Sequence, residues 1–184
     1  MRLRVEWWFR EHFMKDSHFS YRSLIVLVVF NLLGMAAQVP THIAEAGETR
    51  VMFSDAQNKV RVTIRTHEVQ NGTPAKPHRP KDSACTMSRM PCSVVDAIEI
   101  DVDGRSVFTP RSSFCDLADV TTSAIERGGK GWVLTLDGGD ASASYVVKVE
   151  FNNTRVVHRT MWSGLDSSDK LQETTYYPLK EIGY

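Results

Sequence analysis

The sequence predicts an all-β chain: an antiparallel meander forming a single sandwich or an up-and-down barrel-like domain, preceded by an N-terminal apolar signal or anchor helix. Three observations predict it. From Gly47 onward apolar residues recur with a period of two. Turn signals such as Asp103-Gly104 and Asn152-Asn153 separate the alternating runs. No stretch repeats at the roughly 3.6-residue spacing of an amphipathic helix, so short strands with tight turns are left as the building material.

The N-terminal part differs in kind. Leu24–Ala37, "LIVLVVFNLLGMAA", is an uncharged apolar run. It is shorter than the about 20 residues a spanning helix needs and suits the core of a signal peptide. Lys15 and Arg22 precede it. Ala44-Glu45-Ala46 follows with the form a signal peptidase reads, which predicts a mature chain starting near Gly47; Ala36-Ala37 offers a second cut. Met14 is an alternative initiator, and an uncleaved anchor is the alternative fate of the segment. Residues 1–46 are therefore assigned to a signal peptide or anchor plus linker, and residues 47–184 to the all-β domain. The expected location is exported, periplasmic or extracellular, with membrane contact only through residues 24–37 if they are retained.

Within the domain, Thr49–Ser54 and Lys59–Val69 read as a strand pair joined by "DAQN", with Val60, Val62 and Ile64 on one face and Arg61, Thr63 and Arg65 on the other. Residues 70–93 hold four prolines and little apolar pattern, as a long loop does. Ile98, Ile100 and Val102 alternate into the Asp103-Gly104 turn, with a short return strand through Val107 and Phe108. Pro110–Val120 is the one segment suited to a helical turn. Strands follow over Trp132–Asp137, Ser144–Phe151, Thr154–Trp162 and Leu171–Leu179. Tyr145, Val147, Val149 and Phe151 share one face and Val146, Lys148 and Glu150 the other, as in a strand with one wet side.

A chain of 184 residues suffices for one domain with a real core. Its 22 basic and 22 acidic residues cancel, so no global field draws it to nucleic acid or an anionic surface. Arg155 and Arg159 are read as lying on a strand's exposed side, and no nucleic-acid partner is expected.

Of three cysteines, Cys85 and Cys92 flank a short polar stretch that a disulfide could close, as expected of an exported protein. Cys115 is left over, and burial as a small apolar side chain is the commoner fate of such a residue. No G-x-S-x-G elbow surrounds any serine, and Cys115 with His158 or His67 lacks glycine turns or oxyanion donors nearby. His78, Cys85 and Cys92 lack zinc-knuckle spacing. Asp101–Ser106 lacks the distal glutamate of a calcium loop, since Ser112 stands where that ligand belongs. No metal or cofactor is expected.

The residues left as ligand-binding candidates are few. Asp116 and Asp119, three apart, would share a face of a helical turn. Trp132 and Trp162 would serve as aromatic platforms. Asp140 and Ser142 lie in "LTLDGGDASASYVV", a strand connection longer than the two to five or so residues of most hairpins. Gly138-Gly139 would reverse the chain there and Asp140 would accept local N–H groups. The expected function is a small exported binding or accessory protein of the cell envelope, without evident catalysis, its partner an unknown protein or envelope component. The alternatives are an envelope-polymer hydrolase using carboxylates near residues 116–140, and a membrane-anchored structural protein.

Overall fold

Alternation of the kind seen in "KVRVTI" can be satisfied only where one strand face meets other apolar faces, and the chain meets that demand with two antiparallel sheets. The structure, a computed structural model, describes residues 39–69, 85 and 91–178. The apolar run Leu24–Ala37 lies outside them, as do residues 70–84.

The strands are β1 (Thr41–His42), β2 (Gly47–Ser54), β3 (Lys59–Val69), β4 (Cys92–Val102), β5 (Arg105–Val107), β6 (Val120–Arg127), β7 (Trp132–Gly138), β8 (Tyr145–Phe151), β9 (Val156–Ser163) and β10 (Lys170–Thr175). Four form one sheet in the order β2-β3-β4-β5, and six form the other in the order β1-β6-β7-β8-β9-β10. Every neighbouring pair is antiparallel. Both sheets are open, each with two edges.

One apolar cluster joins them. Val60, Val62 and Ile64 of β3 and Ile98, Ile100 and Val102 of β4 belong to the same core as Leu134 and Leu136 of β7 and Val147, Val149 and Phe151 of β8. The opposite face of the four-stranded sheet is wet and charged. There Arg65 bridges Glu48 and Glu99, Arg50 pairs with Glu48, and Arg61 lies 3.7 Å from Asp101. The three arginines and three carboxylates of this face answer one another.

The strand registers sort the connections by end. At the turn end lie the tight reversals: Asp55–Asn58, Asp103-Gly104, Gly128–Gly131 and Asn152–Arg155. At the loop end lie the longer connections, including residues 139–144 and 164–169. A crossing segment, residues 108–119, runs from one end to the other. Phe108 bridges to Arg155 at its start and Ala118 to Val94 at its finish, while Phe114 and Leu117 join the core between.

Several sequence expectations need correction. Pro110–Val120 holds only a single 3-10 turn at Arg111–Ser113, and Val120 already belongs to β6. β6 itself was not expected: its Thr and Ser residues hide the alternation, yet Ser123 is buried and Ile125 is in the core. β4 begins at Cys92, inside the region read as loop to residue 93. β1 lies within residues assigned to the linker, pairing Thr41 with Ser123 and His42 with Thr122, and Ile43 beside it is 1 % exposed.

Arg159 is the largest departure. The alternation across Arg155–Thr160 predicts it outside; it is 1 % exposed. The cause is a bulge in β9. Phe151 pairs with Val156 but Glu150 pairs with His158, so Val157 is an extra residue and everything beyond it changes face. Arg159 thereby stands opposite Val149, on the core side.

Candidate functional site

At the loop end, the crossing segment brings Asp116 to the buried Arg159. Both oxygens of Asp116 accept hydrogen bonds from Arg159 Nη2 at 2.9 Å, and Arg159 Nη1 donates to Gln172 of β10. Asp116 keeps 43 % of its side chain exposed, whereas Arg159 Nε is buried with no partner. Asp119 has a different role. It sits at φ 52°, and its Oδ1 accepts the N–H of Ser93 at 2.9 Å, tying the start of β4 to the start of β6. The two carboxylates do not share a helical face, because no helix extends to them.

Tyr145 completes this end. Its hydroxyl donates to Ala118 O at 2.6 Å and accepts from Ala118 N–H at 3.1 Å. Burial pushes the phenol well above its ordinary value, against the opposing effect of the Ala118 hydrogen bond. Each of these contacts is internal to the fold, and together they fasten the crossing segment to β4, β8 and β9.

Asp140 and Ser142 are exposed on the 139–144 connection. A 3-10 turn at Ala141–Ala143 closes it, with Ala143 N–H donating to the Asp140 carbonyl; the Asp140 side chain caps nothing, contrary to the expected local turn. Gly139 does supply a positive φ of 75°, and a β-carbon there would meet Ala143 O at 2.2 Å.

The two tryptophans face different surroundings. Trp132 lies at the turn-end start of β7 opposite Phe151, on which it stacks with centroids 5.8 Å apart. Trp162 lies towards the loop end opposite Val146, with Lys148 Nζ 5.8 Å from its ring. They do not line a common cleft.

Cys85 and Cys92 are buried and joined by a disulfide, so neither thiolate is available to a metal. His78 lies outside the described residues. Cys115 is exposed and unpaired, not buried as expected. His67 is hydrogen-bonded to Asp96 and His158 to Glu150 and Glu173. No histidine contacts Cys115 among the described residues.

The turn end holds what the sequence reading missed. Asn58, Asp103, Arg127, Lys130, Trp132, Asn152 and the Gly128–Gly131 turn surround a depression of about 380 Å³ built from both sheets. Arg127 spans it, its Nη1 donating to Asn58 Oδ1 at 3.1 Å and its guanidinium 4.8 Å from the Trp132 ring centre. Asp103 is held at both oxygens: Oδ1 accepts Lys59 N–H at 2.7 Å and Oδ2 accepts the Asn58 amide at 3.0 Å. The Lys59 N–H, then the Asn58 amide, hold its carboxyl below the usual range. Asn152 Oδ1 accepts from Thr154 N–H, Thr154 Oγ1 and Arg155 N–H. That fixes the amide with its oxygen used and its NH2 unused. Lys130 has no ion-pair partner among the described residues, and Trp132 Nε1 is buried with no acceptor.

A signal for this cluster was present in the sequence. In an antiparallel meander alternate connections fall at the same end, so "DAQN", "DG", "GGKG" and "NN" are brought together by strand parity alone. No family model matches the chain, and neither a curated protein nor a solved structure matches it.

Proposed function

We propose that the chain is an exported, non-catalytic binding module, a β-sandwich that presents its turn end to a component of the cell envelope. One observation carries the reading. Charged groups on the outer face of the four-stranded sheet are answered by one another. The turn end presents Lys130, which has no ion-pair partner among the described residues, and the NH2 of Asn152, whose oxygen is already used, around a depression. Binding residues belong on connections held by a rigid scaffold, and tight reversals at the ends of long strands are held more rigidly than long loops.

The test is retention of envelope extract on the immobilised full chain, compared with Lys130→Glu and with Arg50→Glu on the outer sheet face. Retention lost only in Lys130→Glu is the expected result; retention unchanged in both variants overturns the reading.

The Cys85–Cys92 disulfide supports the export reading, and the fold bears on where a leader would be cut. A cut after Ala46 would remove β1 and the buried Ile43, leaving β6 as an unprotected edge. A cut after Ala37 keeps both, and the compact unit that contains the sheets begins at Gln38. We therefore place the processing site at Ala37. Terminal sequencing of the native protein should read Gln38, and Gly47 as the first residue would overturn that placement.

A further inference from the structure

The edge strand β10 is held to the six-stranded sheet by few contacts. It pairs only with β9, is irregular between Lys170 and Gln172, and is exposed along nearly its whole length. On the core side Gln172 accepts from Arg159 Nη1. On the outer side a chain of charges ties it down. Lys170 Nζ donates to Glu173 Oε2 at 2.7 Å, Glu173 Oε1 stands 3.1 Å from His158 Nε2, and His158 Nδ1 stands 3.4 Å from Glu150 Oε1 of β8. The remaining charge that β8 places on this face is Lys148, which lies over the Trp162 ring. On the same face β9 adds Thr160 and Trp162, and β7 sets Val133 beside Glu150. The Lys170 contact, then His158, hold the Glu173 carboxyl below its usual range, so it stays ionised in mild acid.

Ionised carboxylates only accept hydrogen bonds, so each ring nitrogen of His158 needs a hydrogen to answer the oxygen it faces. The imidazolium has both. A neutral ring has one, and its bare nitrogen turns a lone pair on the second carboxylate. His67 is the contrast: it meets one carboxylate, that of Asp96, through Nδ1 at 2.7 Å, and a single N–H serves it. We propose that His158 is a proton-operated latch on β10, closed when the imidazolium bridges Glu150 and Glu173 and loosened when the ring is neutral. Proton loss replaces two charge-assisted bonds by one weaker bond and a repulsive contact. It also takes the group Glu150, Glu173, Lys170 and His158 from balanced to net negative. A loosened β10 uncovers the N–H and C=O groups of β9, an edge on which another strand can pair. Histidine side chains change charge between about pH 5 and 8, so this edge is shut in mild acid and opens as the medium turns alkaline.

Both glutamates are half-exposed, so the effect is local and modest, and it is read on β10 itself, not on the melting of the whole fold. The test is native-state hydrogen exchange of the full chain at low salt, with rates expressed as protection factors so that the intrinsic pH dependence of exchange drops out. Protection of the β10 amides relative to those of β8 should fall about two- to fivefold between about pH 5.5 and about pH 8. His158→Gln and Glu173→Gln should each abolish that fall, and His67→Gln should keep it. A wild-type ratio equal at the two pH values overturns the latch, as does a fall that persists in His158→Gln. Nitrogen resonances of the His158 ring give an independent reading. Both nitrogens should be protonated at about pH 5.5, and a bare ring nitrogen there overturns the proposal even if β10 responds to pH.

Discussion

Arg159, the one buried cation among the described residues, is the residue-scale feature that most constrains the fold. Arg159 is tied to Asp116 and Gln172, and a cation left there without its carboxylate keeps its desolvation cost. Asp116→Ala should therefore destabilise by about 2 kcal/mol, less than for a fully enclosed pair because Asp116 is half exposed and water can enter. Arg159→Met removes the charge and keeps the volume, so it should cost less than Asp116→Ala. Denaturant midpoints of the two variants check the order, and the reverse order would show that the pair itself is strongly stabilising. Tyr145 sets a second constraint. Tyr145→Phe strips two hydrogen bonds from Ala118 and should cost about 1–3 kcal/mol. The phenol's raised value means its contribution is complete below about pH 10 and is lost as pH rises towards the folded value. Wild-type stability should fall on the alkaline side of about pH 10, and Tyr145→Phe should flatten that limb.

Among elements, those whose apolar residues alternate in the sequence were legible and those shaped by partners were not. β3 and β8 place the residues inside that their patterns predict, because each meets apolar faces along its length. β1 has two residues and no pattern of its own; it exists because β6 offers it an edge. The bulge at Val157 leaves no trace in composition, so the facing of Arg159 was read backwards and the Asp116–Arg159 pair could not be foreseen. At the turn end, Asn58, Asp103 and Asn152 sat in recognised turn signals, Trp132 was read as a strand residue and Arg127 was not singled out, and what was missing was the parity that gathers the four turns.

Element edges also predict dynamics. β10 is exposed along nearly its whole length and pairs only with β9. Its amides should exchange with solvent far faster than those of β8, which is flanked on both sides. Hydrogen exchange equal in the two strands would mean that β10 opens only with the whole fold. The β6–β7 reversal should be unforgiving by contrast. A β-carbon at Gly131 would stand 2.1 Å from Phe151 O, so Gly131→Ala should cost about 2 kcal/mol or more by thermal melting.

Across the whole molecule, carboxylates govern the response to acid. Asp55 is held below its ordinary value first by the Gln57 N–H, Asp103 by the Lys59 N–H, Glu99 by Arg65, Asp166 by Ser168 and Glu173 by Lys170. A carboxyl lowered in the folded state contributes stability that is complete above about pH 4–5 and is lost as pH falls through the lowered value. The melting temperature should stay level between about pH 5 and 8 and decline below about pH 4, and Asp103→Asn should soften the decline. A melting temperature unchanged down to about pH 2 would show that these contacts do not persist in solution.

The exposed thiol of Cys115 acquires a practical meaning from its place in the crossing segment. With the other two cysteines locked together, it is the single reactive sulfur of the chain, and it stands beside the Asp116–Arg159 pair, away from the Gly128–Gly131 and Asn152–Arg155 reversals. Coupling through it would array the molecule on a sensor surface in one uniform orientation, every copy tethered by its flank with Lys130 unobstructed.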